Sequence, residues 1–170
     1  NYKLNSLVNE ALQITKELGN VIFIGALATY MHTKNARDSR DIDFVVENPI
    51  SDEELISKNY HKSTTGKQPW FTPRGFKIDI YTRGIPGVSF DKIIENSKKF
   101  AIKNKKEIRV LGLESLIIAK HKAARDQDIE DLKNIAMHRL NQIDWNVVQE
   151  ITNDEFMTKQ IKTDIEFLSK

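Results

Sequence analysis

Residues 41–46, DIDFVV, constrain the fold more than any other stretch: a short apolar run with two carboxylates at its mouth. Successive side chains on a strand point to opposite faces. Asp41 and Asp43 therefore point together with Val45 beyond them, while Ile42, Phe44 and Val46 line the other face. A second strand pattern, FKIDIYT at 76–82, sets Ile78 and Ile80 on one face and Asp79 on the other, beside Lys77 and Tyr81. If the two strands are neighbours, three carboxylates converge on one side of one sheet. Like charges at that range repel and raise one another's pKa, so the cluster needs cations. Oxygen-only ligation with open positions suits Mg²⁺, which takes one or two carboxylates and substrate phosphates. Two such ions about 4 Å apart activate an attacking hydroxyl and stabilise a leaving pyrophosphate.

Upstream, VIFI (21–24) reads as a short buried strand that runs into Gly25 and directly into a helix, ALATYMHTK. That order leaves unpaired N–H groups at the helix N-terminus, where phosphate binds well. Arg37, Ser39 and Arg40, just before Asp41, are placed to add charge and hydrogen bonds. Strand, glycine, helix and paired aspartates together outline a triphosphate cradle beside a metal site.

Around this motif the chain reads as α/β first and all-α last. Leu4, Leu7, Ala11, Ile14 and Leu18 recur at spacings of 3 and 4, an amphipathic helix stopped by Gly19-Asn20. SDEELISK is a capped helix, HKSTTGKQPWFTPRG strand pieces around turns, SFDKIIENSKK a short helix, and KFAI with EIRVL a hairpin. From Leu113 on, LESLIIAKHKAA, DIEDLKNIAMHRL, DWNVVQEI and DEFMTKQIKTDIEFLSK are helical. A soft boundary near Leu111 divides a core of residues 1–111 from a helical region, 112–170, packed on it. The 170 residues suffice for one such domain, and a net charge of +2 does not by itself announce a nucleic-acid binder. The lysines of KKFAIKNKKEIR (98–109) form a local exception. They are a solvated face, or a guide for an RNA backbone if the acceptor is RNA. With no cysteine, disulfides and thiolate zinc sites are excluded. The four histidines show no ligand spacing, and Trp70 reads as a core anchor. No apolar run approaches the roughly 18 residues of a membrane span and no signal-peptide pattern opens the sequence, so a cytoplasmic protein is expected.

FIGALATYMHTKNARDSRDIDFVV resembles the signature of the nucleotidyltransferase superfamily, the polymerase-beta-like fold, and looks closest to its AbiEii-type toxins and their bacterial and archaeal relatives. Gly25, Ala28, Arg37, Ser39, Asp41 and Asp43 fill that branch's places, and Asp79 fits its later third carboxylate. Ala26 departs from the pattern, where a second Gly or a Ser is usual. A lost Ser hydroxyl removes one phosphate contact but leaves the backbone N–H. The similarity continues in LIIAKHKAARDQDIEDL, which supplies Lys120, Arg125, Asp128 and Asp131. Lys120 falls on the apolar stripe of its helix, so it must snorkel or find an anion, a phosphate or the carboxylate cluster. Arg125 is spaced to pair with Asp128, and Asp131 reads as an ordinary helix N-terminal acid.

The resemblance implies an α+β fold: a mixed β-sheet flanked by helices, with a helical C-terminal extension. It also implies Mg²⁺-dependent transfer of a nucleoside monophosphate from an NTP, such as ATP, to an acceptor hydroxyl. Asp41 and Asp43 would hold both Mg²⁺ ions, and Asp79 would complete the catalytic one. Gly25 and Ala26 would bind the phosphates, with Arg37, Ser39 and Lys120 neutralising charge. AbiEii-like relatives point to an RNA end such as that of tRNA, in a toxin–antitoxin setting. Other branches modify a partner protein or a small molecule. A non-catalytic nucleotide- or RNA-binding module on the same scaffold is the reading from another class.

Overall fold

The structure, a computed structural model, describes residues 2–35, 37–67 and 69–170, without the side chains of residues 2–4 and 105. The helix stripe predicted from Leu4 therefore counts from Leu7. Helix α1 (Tyr2–Leu18) buries Leu7, Ala11 and Ile14 and is stopped at Gly19, whose positive φ of 86° suits a helix end. Strand β1 (Ile22–Ile24) is buried throughout and passes without a loop into α2 (Gly25–Thr33). Small residues let α2 lie close, with Ala26, Leu27, Ala28 and Met31 all buried. Strand β2 (Asp41–Val46) follows, then α3 (Asp52–Ser57), whose Glu54 N–H donates to the Ser51 hydroxyl.

Next come β3 (His61–Lys62), β4 (Trp70–Phe71) and β5 (Lys77–Thr82), then a small hairpin of β6 (Gly84–Ile85) and β7 (Val88–Ser89) that sequence patterning misses. Its turn is Pro86-Gly87, with Gly87 at φ +80°, and strands of two residues are too short to show a period. Trp70 is half-buried and packs against the core. Helix α4 (Phe90–Asn96) leads into the hairpin of β8 (Lys98–Ala101) and β9 (Glu107–Val110). The remainder is helical: α5 (Leu113–Ala123), α6 (Asp126–Arg139), α7 (Trp145–Thr152) and α8 (Glu155–Leu168).

Among the described residues the main sheet has seven strands in the order β3-β4-β5-β2-β1-β9-β8. It is mixed: β2 runs parallel to β5 and β1 parallel to β9, while β1 and β2 are antiparallel. The parallel β2–β5 pair needs a crossover, and residues 47–76 supply it. One apolar cluster runs from Leu7 in α1 through the central strands to Ile165 in α8. Polar ties fasten the helices to it: His32 Nε2 lies 2.7 Å from the Leu111 carbonyl, and His121 Nε2 lies 2.7 Å from Asp164 Oδ2. None of the helices searched is long and apolar enough to cross a membrane.

Candidate functional site

Strand register decides which acids meet. In the parallel β2–β5 pair, Asp43 is the direct partner of Asp79, and Asp41 of Lys77. Partners in register share a face, so Asp41, Asp43, Asp79, Lys77 and Tyr81 stand on one side of the sheet. The opposite side is apolar, with Ile42, Phe44 and Ile78 fully buried. Lys77 Nζ lies 3.8 Å from Asp41 Oδ2, a half-exposed contact that steadies the rim more than it stabilises the fold.

Asp43 is the strained member. Burial first, then the charges of Asp79 and Asp41, push its carboxyl up to about 6, while Lys120 pulls the other way. Facing Asp79 in register, the Asp43 carboxyl is held next to a like group that disfavours its charged form.

Gly25 closes the site from the end of β1. Ile24 pairs with Asp43 across the antiparallel β1–β2 register, bringing the start of α2 against that carboxylate. Gly25 has φ +65°, and a Cβ there would come within 2.4 Å of Asp43 Oδ2. Only glycine leaves the carboxylate and the first N–H groups of α2 together, and no side chain caps that helix end. A cavity of about 70 Å³ opens here between Gly25, Asp43 and Tyr81 on one side and Lys120, Arg125 and Asp128 on the other. Burial, followed by the charges of Asp43 and Asp79, raises the Tyr81 phenol and keeps it protonated.

Behind Lys120 lies a buried charge network that sequence reasoning understated. Lys120 is 5 % exposed, and its Nζ lies 2.7 Å from Asp131 Oδ2 and 3.4 Å from Asp128 Oδ1. Arg37 donates from Nε to Asp131 Oδ1 at 3.1 Å. Asp131 is therefore a buried bridge between two cations, not an exposed acid at a helix start. Asp128 accepts from the Arg125 backbone N–H at 3.1 Å and from its Nε at 2.7 Å, the pairing expected from their spacing. Burial draws the Asp128 carboxyl upward, but Arg125 and Lys120 outweigh it and hold it below the usual carboxylate range. One signal was present in the sequence. Asp128 and Asp131 fall on the α6 stripe of Leu132, Ile135 and Ala136, where a carboxylate needs a partner.

Of the residues singled out for phosphate, Gly25 and Lys120 line the cavity with Asp43. Ala26 is buried in the first turn of α2. Arg37 and Ser39 are engaged elsewhere: Arg37 by Asp131, and the Ser39 hydroxyl by the Asp41 backbone N–H at 3.3 Å.

The donor set fits a hard divalent cation. Asp41, Asp43 and Asp79 offer only oxygens, and a cation there would offset the repulsion among their charges. Among the described residues no three His, Cys, Asp or Glu side chains are grouped as a ready-made metal site, so a cation on this face would draw the rest of its shell from water and phosphate, as Mg²⁺ does.

No curated protein matches the chain in sequence. In fold it is similar to an antigenic nucleotidyltransferase-like protein from Paracoccidioides brasiliensis, with a TM-score of 0.52 at 10 % identity over 95 % of this chain and 93 % of that one. It is likewise similar to JHP933 from Helicobacter pylori, with a TM-score of 0.53 at 15 % identity over 97 % of this chain and 92 % of that one. A family model described as nucleotidyltransferase of unknown function, DUF6036, matches residues 2–167, and the chain belongs to that family.

Proposed function

We propose that the protein transfers a nucleoside monophosphate from an NTP to an acceptor hydroxyl, an RNA end such as that of tRNA, with Mg²⁺ as cofactor. The observation that carries this reading is the in-register pair of Asp43 and Asp79, with Asp41 on the same face, against the glycine start of α2. In the reaction an acceptor oxygen bonds to the α-phosphorus, the bond from that phosphorus to the bridging oxygen breaks, and pyrophosphate leaves. Asp41, Asp43 and Asp79 would hold Mg²⁺, which when bound supplies charge stabilisation for the phosphates and the attacking oxygen. Asp79, the exposed member of the pair, is placed to accept the acceptor's proton. The N–H groups at the start of α2, beside Gly25, would favour the phosphates, while Lys120 lines the same cavity with its ammonium held by Asp131 and Asp128 and would add positive charge from behind that pairing. Tyr81, a protonated donor beside Asp43, can orient the acceptor.

Incubation with α-labelled NTP, Mg²⁺ and total RNA tests the reading, and label is expected on RNA. Label on protein would reassign the acceptor; no label anywhere would reject transfer. Mg²⁺ with NTP at a hundredfold excess over Kd should also stabilise the fold by about 2.7 kcal/mol, and Asp79→Asn should remove most of that shift.

Gly25→Ala probes the cradle separately. A side chain in left-handed backbone costs roughly 1–2 kcal/mol. Its Cβ would also drive the Asp43 carboxylate away, since it would stand 2.4 Å from Oδ2. The variant should fold, melt a few degrees lower and lose the stabilisation by Mg²⁺ and NTP. A Gly25→Ala protein that retains the full ligand-induced shift would contradict the placement of the phosphates.

A further inference from the structure

The register that sets Asp43 opposite Asp79 extends one row further across the sheet. Asp41 is the partner of Lys77, Lys77 of Phe71 in the antiparallel β4–β5 pair, and Phe71 of His61 in the β3–β4 pair. Direct partners share a face, so Lys77, Phe71 and His61 stand on the same side of the sheet as the three aspartates. Trp70 and Ile78, partners one position along, take the opposite side, where Ile78 belongs to the core and Trp70 packs against it. Phe71 is half-buried and stands outside that core, and His61 is exposed on the edge strand. Their rings stack, with 5.6 Å between centroids and 14° between planes.

The strand order β3-β4-β5-β2-β1 puts this ring pair on one flank of Asp43 and Asp79, and Gly25, at the end of β1, on the other. The two are offset along the strands as well. The rings line up with Lys77, two residues before Asp79, whereas the Gly25 cavity is lined by Tyr81, two residues after it. In-line transfer needs such an arrangement: pyrophosphate leaves on one side of the α-phosphorus and the attacking oxygen arrives on the other. With the phosphates at Gly25, the acceptor comes from the flank of β4 and β3. Neighbouring strands lie about 4.8 Å apart, so Phe71 and His61 stand about 5 and 10 Å across the sheet from β5. That is where the nucleotides next to an attacking hydroxyl lie. Stacked rings beside a cation form a platform for unpaired bases, each of which offers a π-face whatever its identity. Lys77 supplies the cation, between the rings and Asp41.

We infer that Phe71 and His61 form a stacking subsite for the unpaired bases at the end of the acceptor RNA and direct its terminal hydroxyl past Lys77 to Asp79. This rests on the transferase reading above and names where its acceptor is held. Binding there depends on the bases being present and unpaired, and not on their sequence.

The test is fluorescence anisotropy of a short oligoadenylate, labelled with fluorescein at its 5′ end and titrated with protein in Mg²⁺ without NTP. Wild type should bind, and Phe71→Leu with His61→Ala should weaken binding about tenfold or more. The same probe with abasic nucleotides at its 3′ end should cost wild type a similar factor and cost the double variant little. A purely structural role for the rings does not produce that dependence. The double variant should keep the wild-type melting shift with Mg²⁺ and NTP, because neither ring lines the Gly25 cavity. His61→Ala alone, at an exposed position, should show a smaller loss with the same dependence on bases, and it carries the test if the double variant folds poorly. Equal affinity of wild type for the intact and abasic probes would overturn the subsite, as would equal affinity of His61→Ala and wild type for the intact probe. Base-dependent binding by a wild type that transfers no label to RNA would support the subsite and sink the transferase reading alone.

Discussion

Asp43→Asn is expected to raise the melting temperature at neutral pH while lowering nucleotidyl transfer at least about a thousandfold, as befits several kcal/mol of lost charge stabilisation. The two effects share a cause. Asp43 is confined between Asp79 and Asp41, and burial with their charges pushes its carboxyl up to about 6. An unfolded aspartate titrates near ~3.9. Between those values the folded protein holds a proton that the unfolded chain has released, so stability falls as pH rises through the window. Above about pH 6 the cost is fully present, with a ceiling of about 3 kcal/mol for two units of displacement. Asparagine carries no charge to repel, so the variant should gain most over wild type at pH 7.5 and little at pH 4. Mg²⁺ should narrow the gap by stabilising wild type alone. Thermal melts at the two pH values and a transfer assay check this. A pH-independent gap would dismiss the electrostatic account, and wild-type turnover would dismiss the catalytic one.

Asp131→Ala is expected to cost about 3 kcal/mol, the low end for breaking a buried ion pair, or roughly 6–12 °C in Tm for a chain of this size. The carboxylate is 1 % exposed and lies within 3.1 Å of Arg37 and 2.7 Å of Lys120. Its removal leaves the Lys120 ammonium buried with Asp128 at 3.4 Å as its remaining partner, which is why the loss stays at that lower end. Lys120→Met in the Asp131→Ala background should recover part of the loss, since an apolar pair of similar volume often replaces a buried ion pair at little cost. Denaturant melts of both single variants and the double variant give the coupling directly. Additive losses would show that Lys120 and Asp131 do not act as a pair. A second consequence concerns the nucleotide: Asp131 ties Arg37, in the loop before β2, to α6 and Lys120, so its loss should loosen the segment that leads into Asp41.

The sequence by itself determined the local parts. Period-two alternation in DIDFVV and FKIDIYT fixed which side chains share a face, because the pleat leaves no other choice. Gly19 and Gly25 marked a helix end and a helix start, and the stripes from Leu113 onward gave four helices with sound limits. The resemblance to the nucleotidyltransferase superfamily rested on these same local motifs. The hairpin at Pro86-Gly87 escaped because two-residue strands carry no period.

Only the tertiary structure decided which partners meet. That Asp79 stands opposite Asp43, and not opposite Asp41, is a matter of register between strands separated by a crossover of thirty residues (47–76). No local pattern sets that register. The anion for Lys120 was likewise open in sequence, since any carboxylate or phosphate satisfies a buried ammonium. Helix packing chose Asp131 and Asp128, and made a buried bridge of an acid whose position at a helix start has a simpler explanation. Side-chain direction depends on the residue's own backbone, whereas pairing depends on where the rest of the chain has gone.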